Sequence, residues 1–212
     1  MTIGLLSLTR DRVALLSDTL AGRSDEGCRP YNFSSKAELQ AHLYAVTLAR
    51  GPRPLGTRLV ELIAHTHLPN GIGDLLPALP DAMRATGHEG EALVAGWCRP
   101  SGGFRAWRAV STSGWLVDEL APDWCHPLPG IGVLPADVLA GALDDGRLVR
   151  LGHALVDAVN EPLRAKGEAD GAGGELILST IDRGGFHVRK AGKCSNFDLV
   201  KAAIEARHDH SR

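Results

Sequence analysis

The sequence predicts an α/β (α+β) fold in which two largely antiparallel sheets pack face to face, a four-layer αββα sandwich with pairs of helices outside. Three observations carry this reading. Three hairpin patterns recur along the chain, helical stretches separate them, and one strand pattern is apolar at consecutive positions. A strand apolar at every position needs cover on both faces, which a stacked sandwich supplies.

Residues 3–9 and 13–18 are short apolar runs around Arg10-Asp11-Arg12, a hairpin signature, and Val13, Ala14, Leu15 and Leu16 form the continuous stretch. Residues 19–35 mix Gly22, Gly27 and Pro30 with Ser and Asp and read as an irregular loop. A third strand is expected over residues 38–48, ending at Arg50-Gly51-Pro52. The period then changes. Leu55, Leu59, Leu62 and Ile63 share one helical face, and Pro69-Asn70-Gly71 stops that helix. A second helical stretch covers residues 72–85, interrupted at Pro77 and Pro80.

Residues 92–97 and 104–110 make a second hairpin around Arg99-Pro100-Ser101-Gly102-Gly103, followed by a Pro- and Gly-rich connection over residues 112–134. Pro135 suits the first turn of a helix carrying Val138, Leu139 and Leu143. Residues 148–163 give the clearest long helix. A third hairpin joins residues 175–180 to 186–189 through Asp182-Arg183-Gly184-Gly185. A final amphipathic helix, with Phe197, Val200 and Ile204 on one face, closes the chain.

Bulk properties set limits on function. The 212 residues fit one domain, 1–212, and 44% hydrophobic content supports a core without a disulfide or metal staple. Acidic residues outnumber basic ones, 25 to 23, and the basic ones are scattered, so nucleic acid is not an expected partner. No apolar run approaches the roughly 18 residues of a membrane span. Thr2-Ile3-Gly4 follows Met1 without a basic leader, and Cys28, Cys98, Cys125 and Cys194 form no CxxC pair. Free thiols in the cytoplasm are the expectation, with no cofactor.

The opening strands carry the chemistry. Thr2 begins the hairpin and Asp18, sixteen positions later, closes its second strand in Val13-Ala14-Leu15-Leu16-Ser17-Asp18-Thr19. Lys36 stands just before the third strand. This arrangement resembles the proteasome β-type and HslV-like N-terminal-nucleophile hydrolases, and the order of helices and hairpins is similar over nearly the whole chain. The resemblance implies a Thr2 nucleophile exposed by removal of Met1, supported by Asp18 and Lys36, with Asp170 in a later helix-to-strand turn. A free α-amine titrates near about 7.7–8.0, so Thr2 alone can supply hydroxyl and base. A lysine ammonium favours the neutral amine, and an aspartate can hold that lysine.

The chain also departs from the family. Leu20 replaces a common Arg, Gly130-Ile131-Gly132-Val133 lacks the serine of a Gly-Ser-Gly turn, and Asp170-Gly171-Ala172-Gly173-Gly174 keeps the Asp without its Ser. Two functions are therefore expected: a threonine-type amidohydrolase or peptidase, or a catalytically silent subunit with a structural role. Either implies self-association in a ring or other oligomer, and the first implies a peptide substrate.

Other motifs are weaker. His65 and His67 at i and i+2 do not share a helical face, so no metal site is expected there. Cys125-His126 is a candidate thiol–imidazole pair, but adjacent residues seldom aim at each other. Gly71-Ile72-Gly73 and Gly130-Ile131-Gly132 lack the full phosphate-binding glycine pattern, and His208 and His210 read as a solvated end.

Overall fold

In the computed structural model, residues 2–23, 29–128 and 134–209 are described. The expected first hairpin forms as β1 (Gly4–Leu8) and β2 (Arg12–Asp18), with Leu6 opposite Leu15. Alternation along the strands sends Leu6, Leu8, Val13 and Leu15 to one face and Ile3, Leu5, Ala14 and Leu16 to the other, and all eight are buried. The continuous apolar run is thus covered on both sides.

Residues 19–35, expected to be irregular, contain the paired strands β3 (Leu20–Arg23) and β4 (Arg29–Phe33). The expected single strand over 38–48 is itself a tight hairpin, β5 (Ala37–Gln40) and β6 (Ala45–Arg50). Between them a 3₁₀ turn ends at Tyr44, whose left-handed φ of 49° reverses the chain. No Gly or Pro marks this reversal, so sequence alone carries no turn signal there.

Helix α1 (Arg53–His65) begins behind Pro52 with Pro54 in its first turn and buries Leu55, Leu59 and Ile63. The next stretch divides into a 3₁₀ turn, Ile72–Leu75, and α2 (Leu79–Arg84). The second hairpin is β7 (Glu91–Cys98) with β8 (Gly103–Val110). The connection over 112–134 contributes two short edge strands, β9 (Val117–Glu119) on β8 and β10 (Trp124–Leu128) on β1. Helix α3 (Ala136–Leu139) is one turn only, and Leu143 lies beyond it in the core under the next helix. That helix, α4 (Asp145–Ala165), is capped by the Asp144 carboxylate, which accepts from the Arg147 N–H at 2.8 Å. Strands β11 (Glu175–Asp182) and β12 (Gly185–Lys193) form the third hairpin before α5 (Phe197–Asp209).

The result is the expected sandwich. One sheet has the order β10-β1-β2-β11-β12 and the other β5-β6-β7-β8-β9, with antiparallel pairing throughout. Leu6, Leu15, Val46, Leu48, Leu93 and Phe104 fill the space between them. Helices α1 and α2 cover the outer face of the second sheet, and α4 that of the first. Helix α5 instead packs Val200 and Ile204 on Leu20 of β3.

Two contacts fix how the sheets cross. At one end the Phe104 N–H donates to the Arg10 carbonyl, 2.9 Å. Towards the other, a Cβ on Gly4 would lie 2.6 Å from Leu48 Cδ2, so β1 runs against β6 there. Leu48 is level with Leu93 and Arg108, five residues along β8 from Gly103 and two strands across. At about 3.3 Å per residue and 4.8 Å per strand, the crossing is about 30°, the aligned packing of a sandwich.

Helix α4 approaches the first sheet most closely at Gly152, where a Cβ would lie 2.2 Å from Leu16 Cδ2 and 3.2 Å from Leu176 Cδ1. Gly152→Val should therefore destabilise the protein by about 1–3 kcal/mol through overpacking. Urea unfolding of the variant measures this, and an unchanged midpoint would contradict the tight approach.

Candidate active site

The residues singled out at the amino terminus come together at one end of the sandwich. Asp18 closes β2 with its side chain wholly buried. Its Oδ1 accepts from the Ile3 N–H (3.0 Å) and from Lys36 Nζ (2.8 Å), and its Oδ2 from the Gly173 N–H (3.0 Å). One carboxylate thus ties the start of β1, the entry to β5 on the opposite sheet, and the loop before β11. Thr2, adjacent to Ile3, is buried, and strand alternation puts it on the inner face with Gly4 and Leu6.

Lys36 is buried, and its pKa lies below that of an ordinary lysine. Burial lowers its pKa, while the Asp18 charge and hydrogen bond, and more weakly Cys194, act in the opposite sense. Its return to Asp18 is arranged locally. The Ser34 N–H donates to the Thr19 carbonyl at 2.8 Å, closing the β3–β4 excursion two residues before Lys36.

Asp170 is placed differently from the other three. It accepts two hydrogen bonds from Arg164, at 2.8 Å each, and one from Asn196 Nδ2 at 2.7 Å. Burial raises its pKa, but the Arg164 and Asn196 hydrogen bonds and the Arg164 charge outweigh that and leave it lowered. It therefore anchors the base of the loop whose tip reaches Asp18. Asn160, fully buried, accepts from the Gly171 and Ala172 N–H groups at 3.0 and 3.1 Å and donates to the Ala172 carbonyl. At the tip, the Gly173 carbonyl accepts from both Thr19 and Leu20 N–H groups. Asn160 and Asn196 were invisible to sequence reasoning, since a lone Asn in a helix or before one carries no pattern.

Leu20, where the family commonly has Arg, is buried against α5. The Gly130-Ile131-Gly132-Val133 turn, Met1, Cys28 and His210 lie outside the described residues. Cys194 is buried near Asp18 and Lys36, and burial, reinforced by the Asp18 charge, pushes its thiol up to about 12. It stays protonated at neutral pH. Cys125 is likewise pushed up to about 12 by burial, while its neighbour His126 turns its ring to the Ala121 carbonyl, 2.8 Å away, so the two do not form a pair. A hollow of about 360 Å³ lined by Arg12, Asp145, Thr180, Asp182 and His187 lies near the start of β2, roughly 20 Å along the strand from Asp18. It is remote from this chemistry. Among the described residues no group of three or more His, Cys, Asp or Glu is placed to hold a metal, and no helix is long and apolar enough to cross a membrane.

The fold defines a class: an α+β sandwich of the proteasome-like N-terminal-nucleophile type. Solved structures of Anbu share it. An Anbu mutant from Hyphomicrobium sp. strain MC1 has a TM-score of 0.64 at 15% identity, covering 100% of this chain and 95% of its own. Anbu from Yersinia bercovieri, described as an ancestral beta-subunit, has a TM-score of 0.62 at 12% identity, covering 98% and 94%. A second Anbu structure from the Hyphomicrobium strain gives 0.60 at 14% identity, covering 99% and 95%. No family model matches the sequence, and no curated protein matches it. At these identities the likeness is one of fold. In fold it agrees with the proteasome-related expectation, and it does not single out an HslV-like relative.

Removing the Asp18 carboxylate takes the counter-charge from the buried Lys36 ammonium and the acceptor from two backbone donors. Asp18→Ala should cost about 3–5 kcal/mol, read as a shift in the urea midpoint. A variant as stable as the parent would show that the constellation does not hold the sheets together.

Proposed function

We propose that the chain, as one domain over 1–212, is a threonine-type amidohydrolase or peptidase in which Thr2, freed by removal of Met1, is the nucleophile. The observation that carries this reading is the buried Asp18 carboxylate joining Lys36 to the backbone of Ile3, the residue after Thr2. The Thr2 amine takes the hydroxyl proton as Oγ1 attacks the substrate carbonyl, and returns it to the leaving amine. Water then hydrolyses the ester in the same way. Lys36 stands as the fixed positive charge that keeps the amine neutral, Asp18 as the group that holds Lys36, and Asp170 as a positioning residue for the loop over Asp18.

A second reading, a catalytically silent subunit with a structural role, is favoured by one observation. The 170–174 loop offers Asp18 and Thr19 only backbone groups, where a hydroxyl is expected in active relatives. Under either reading the protein works in the cytoplasm as a ring or other oligomer, without nucleic acid or membrane.

Intact mass decides first. The enzyme reading expects a mass short by one Met, and hydrolysis of a peptide amide abolished by Thr2→Ala. Retained Met1 would sink the mechanism, because an acylated amine is no base.

The pH profile of kcat/KM follows from the burial of Lys36. The rate should rise as the Thr2 amine loses its proton, below the ordinary value of about 7.7–8.0 because of the nearby ammonium. It should fall again as Lys36 itself deprotonates, earlier than an ordinary lysine, because the ammonium also offsets the negative charge that develops on Oγ1 as it loses its proton. Lys36→Arg, which keeps its charge, should remove the alkaline limb. A limb that persists in that variant would assign it to another group.

A further inference from the structure

On the inner face of the second sheet, at the end where Thr2 and Asp18 lie, Arg50 and Glu91 are paired on β6 and β7, and Arg108 on β8 sits one inward-facing position back, level with Leu93. Each shares its face with core residues, Arg50 with Leu48, Glu91 with Leu93 and Arg108 with Ala106, so all three point between the sheets. Their place relative to Thr2 follows from the crossing. Gly4 sits on Leu48. Two residues further along both strands bring Thr2 level with Arg50, while Lys36 precedes the residue paired with Leu48.

This row is incompletely satisfied by the protein. Glu91, with 2% of its side chain exposed, accepts one good hydrogen bond, from Arg50 Nε at 3.0 Å. Its Oε1 has no hydrogen-bond partner, and Arg108 Nη1 is 3.8 Å from it. Arg108 itself makes no side-chain hydrogen bond among the described residues, and its buried Nε is unpartnered. Asp118, across from it on β9, forms no ion pair with it. Two guanidinium groups therefore flank one buried carboxylate, and about a quarter of each arginine side chain is exposed to solvent. Buried donors left unpaired call for an explanation, and a planar guanidinium with free donors matches a carboxylate in a two-pronged bond.

We propose that Arg108, with Arg50 and Glu91 beneath it, is a subsite for a substrate carboxylate, carried by the residue on the acyl side of the scissile bond. The proposal rests on the Thr2 reading for its chemistry but not for its binding. Glu91 turns Arg50 and limits the excess positive charge to one, so an anionic side chain is favoured over a neutral one of the same shape.

Two probes test it: the coumarin amides of N-acetyl-Ala-Ala-Glu and N-acetyl-Ala-Ala-Gln. Hydrolysis of the Glu probe by the full-length protein should be at least tenfold faster in kcat/KM, and Arg108→Gln should bring the ratio to within twofold of one. In the Thr2→Ala protein, calorimetry should show the same preference in Kd between the corresponding peptide carboxamides. Preferred binding without any hydrolysis would uphold the subsite and overturn the Thr2 reading. Equal hydrolysis and equal binding of the two probes would overturn the subsite and leave Thr2 standing. Should Arg108→Gln fail to fold by its melting curve, Arg108→Lys replaces it. That variant should cut the ratio at least threefold, and an unchanged ratio overturns the proposal.

Discussion

The constraint on which the rest depends is a single buried carboxylate. An ionised group taken fully out of water is costly unless hydrogen bonds and a counter-charge replace its hydration. Asp18 has no exposed surface, and three donors from three separate parts of the chain meet it. Two are backbone N–H groups and one is the Lys36 ammonium. Because each comes from a different element, the carboxylate sets the position of the start of β1, the loop before β11 and the entry to β5 at once. The hydrophobic layer between the sheets makes them adhere, and the Asp18–Lys36 ion pair adds a directional link between them at this corner.

Much of the fold was legible because burial imposes a period. The β1–β2, β7–β8 and β11–β12 hairpins and the helices α1 and α4 alternate or repeat as their faces require. What escaped was structure without a period. Strands β9 and β10 are short edge strands of three and five residues, and β10 pairs with β1, more than a hundred residues away in sequence. The reversal at Tyr44 uses an aromatic residue in a left-handed conformation, which only the surrounding pairing enforces. Helix α3 stops after one turn, and Leu143 reaches the core without it.

The site divides in the same way. Asp18 and Lys36 were legible from their order around the strands, and the distance between them in sequence turned out to be uninformative. The Ser34–Thr19 hydrogen bond closes the intervening hairpin two residues before Lys36, which brings the lysine back to Asp18. Asn160 and Asn196 were not legible. Each acts by satisfying backbone groups of a loop more than ten residues away, and such a role leaves no mark in composition or spacing.

The glycines of that loop explain why a hydroxyl is missing where one was expected. Gly173 adopts φ 143°, and a Cβ there would fall 2.3 Å from Asn196 Oδ1. Any side chain would have to displace the asparagine that holds Asp170 and the Ala172 carbonyl. Gly174 follows with φ 81°, again a conformation that side chains resist. The loop can therefore meet Asp18 and Thr19 only through its backbone, and it does so in both senses. The Gly173 N–H donates to the carboxylate while its carbonyl accepts from two N–H groups at the end of β2. A backbone group cannot rotate or exchange its proton as a hydroxyl can. What this corner gains is rigidity.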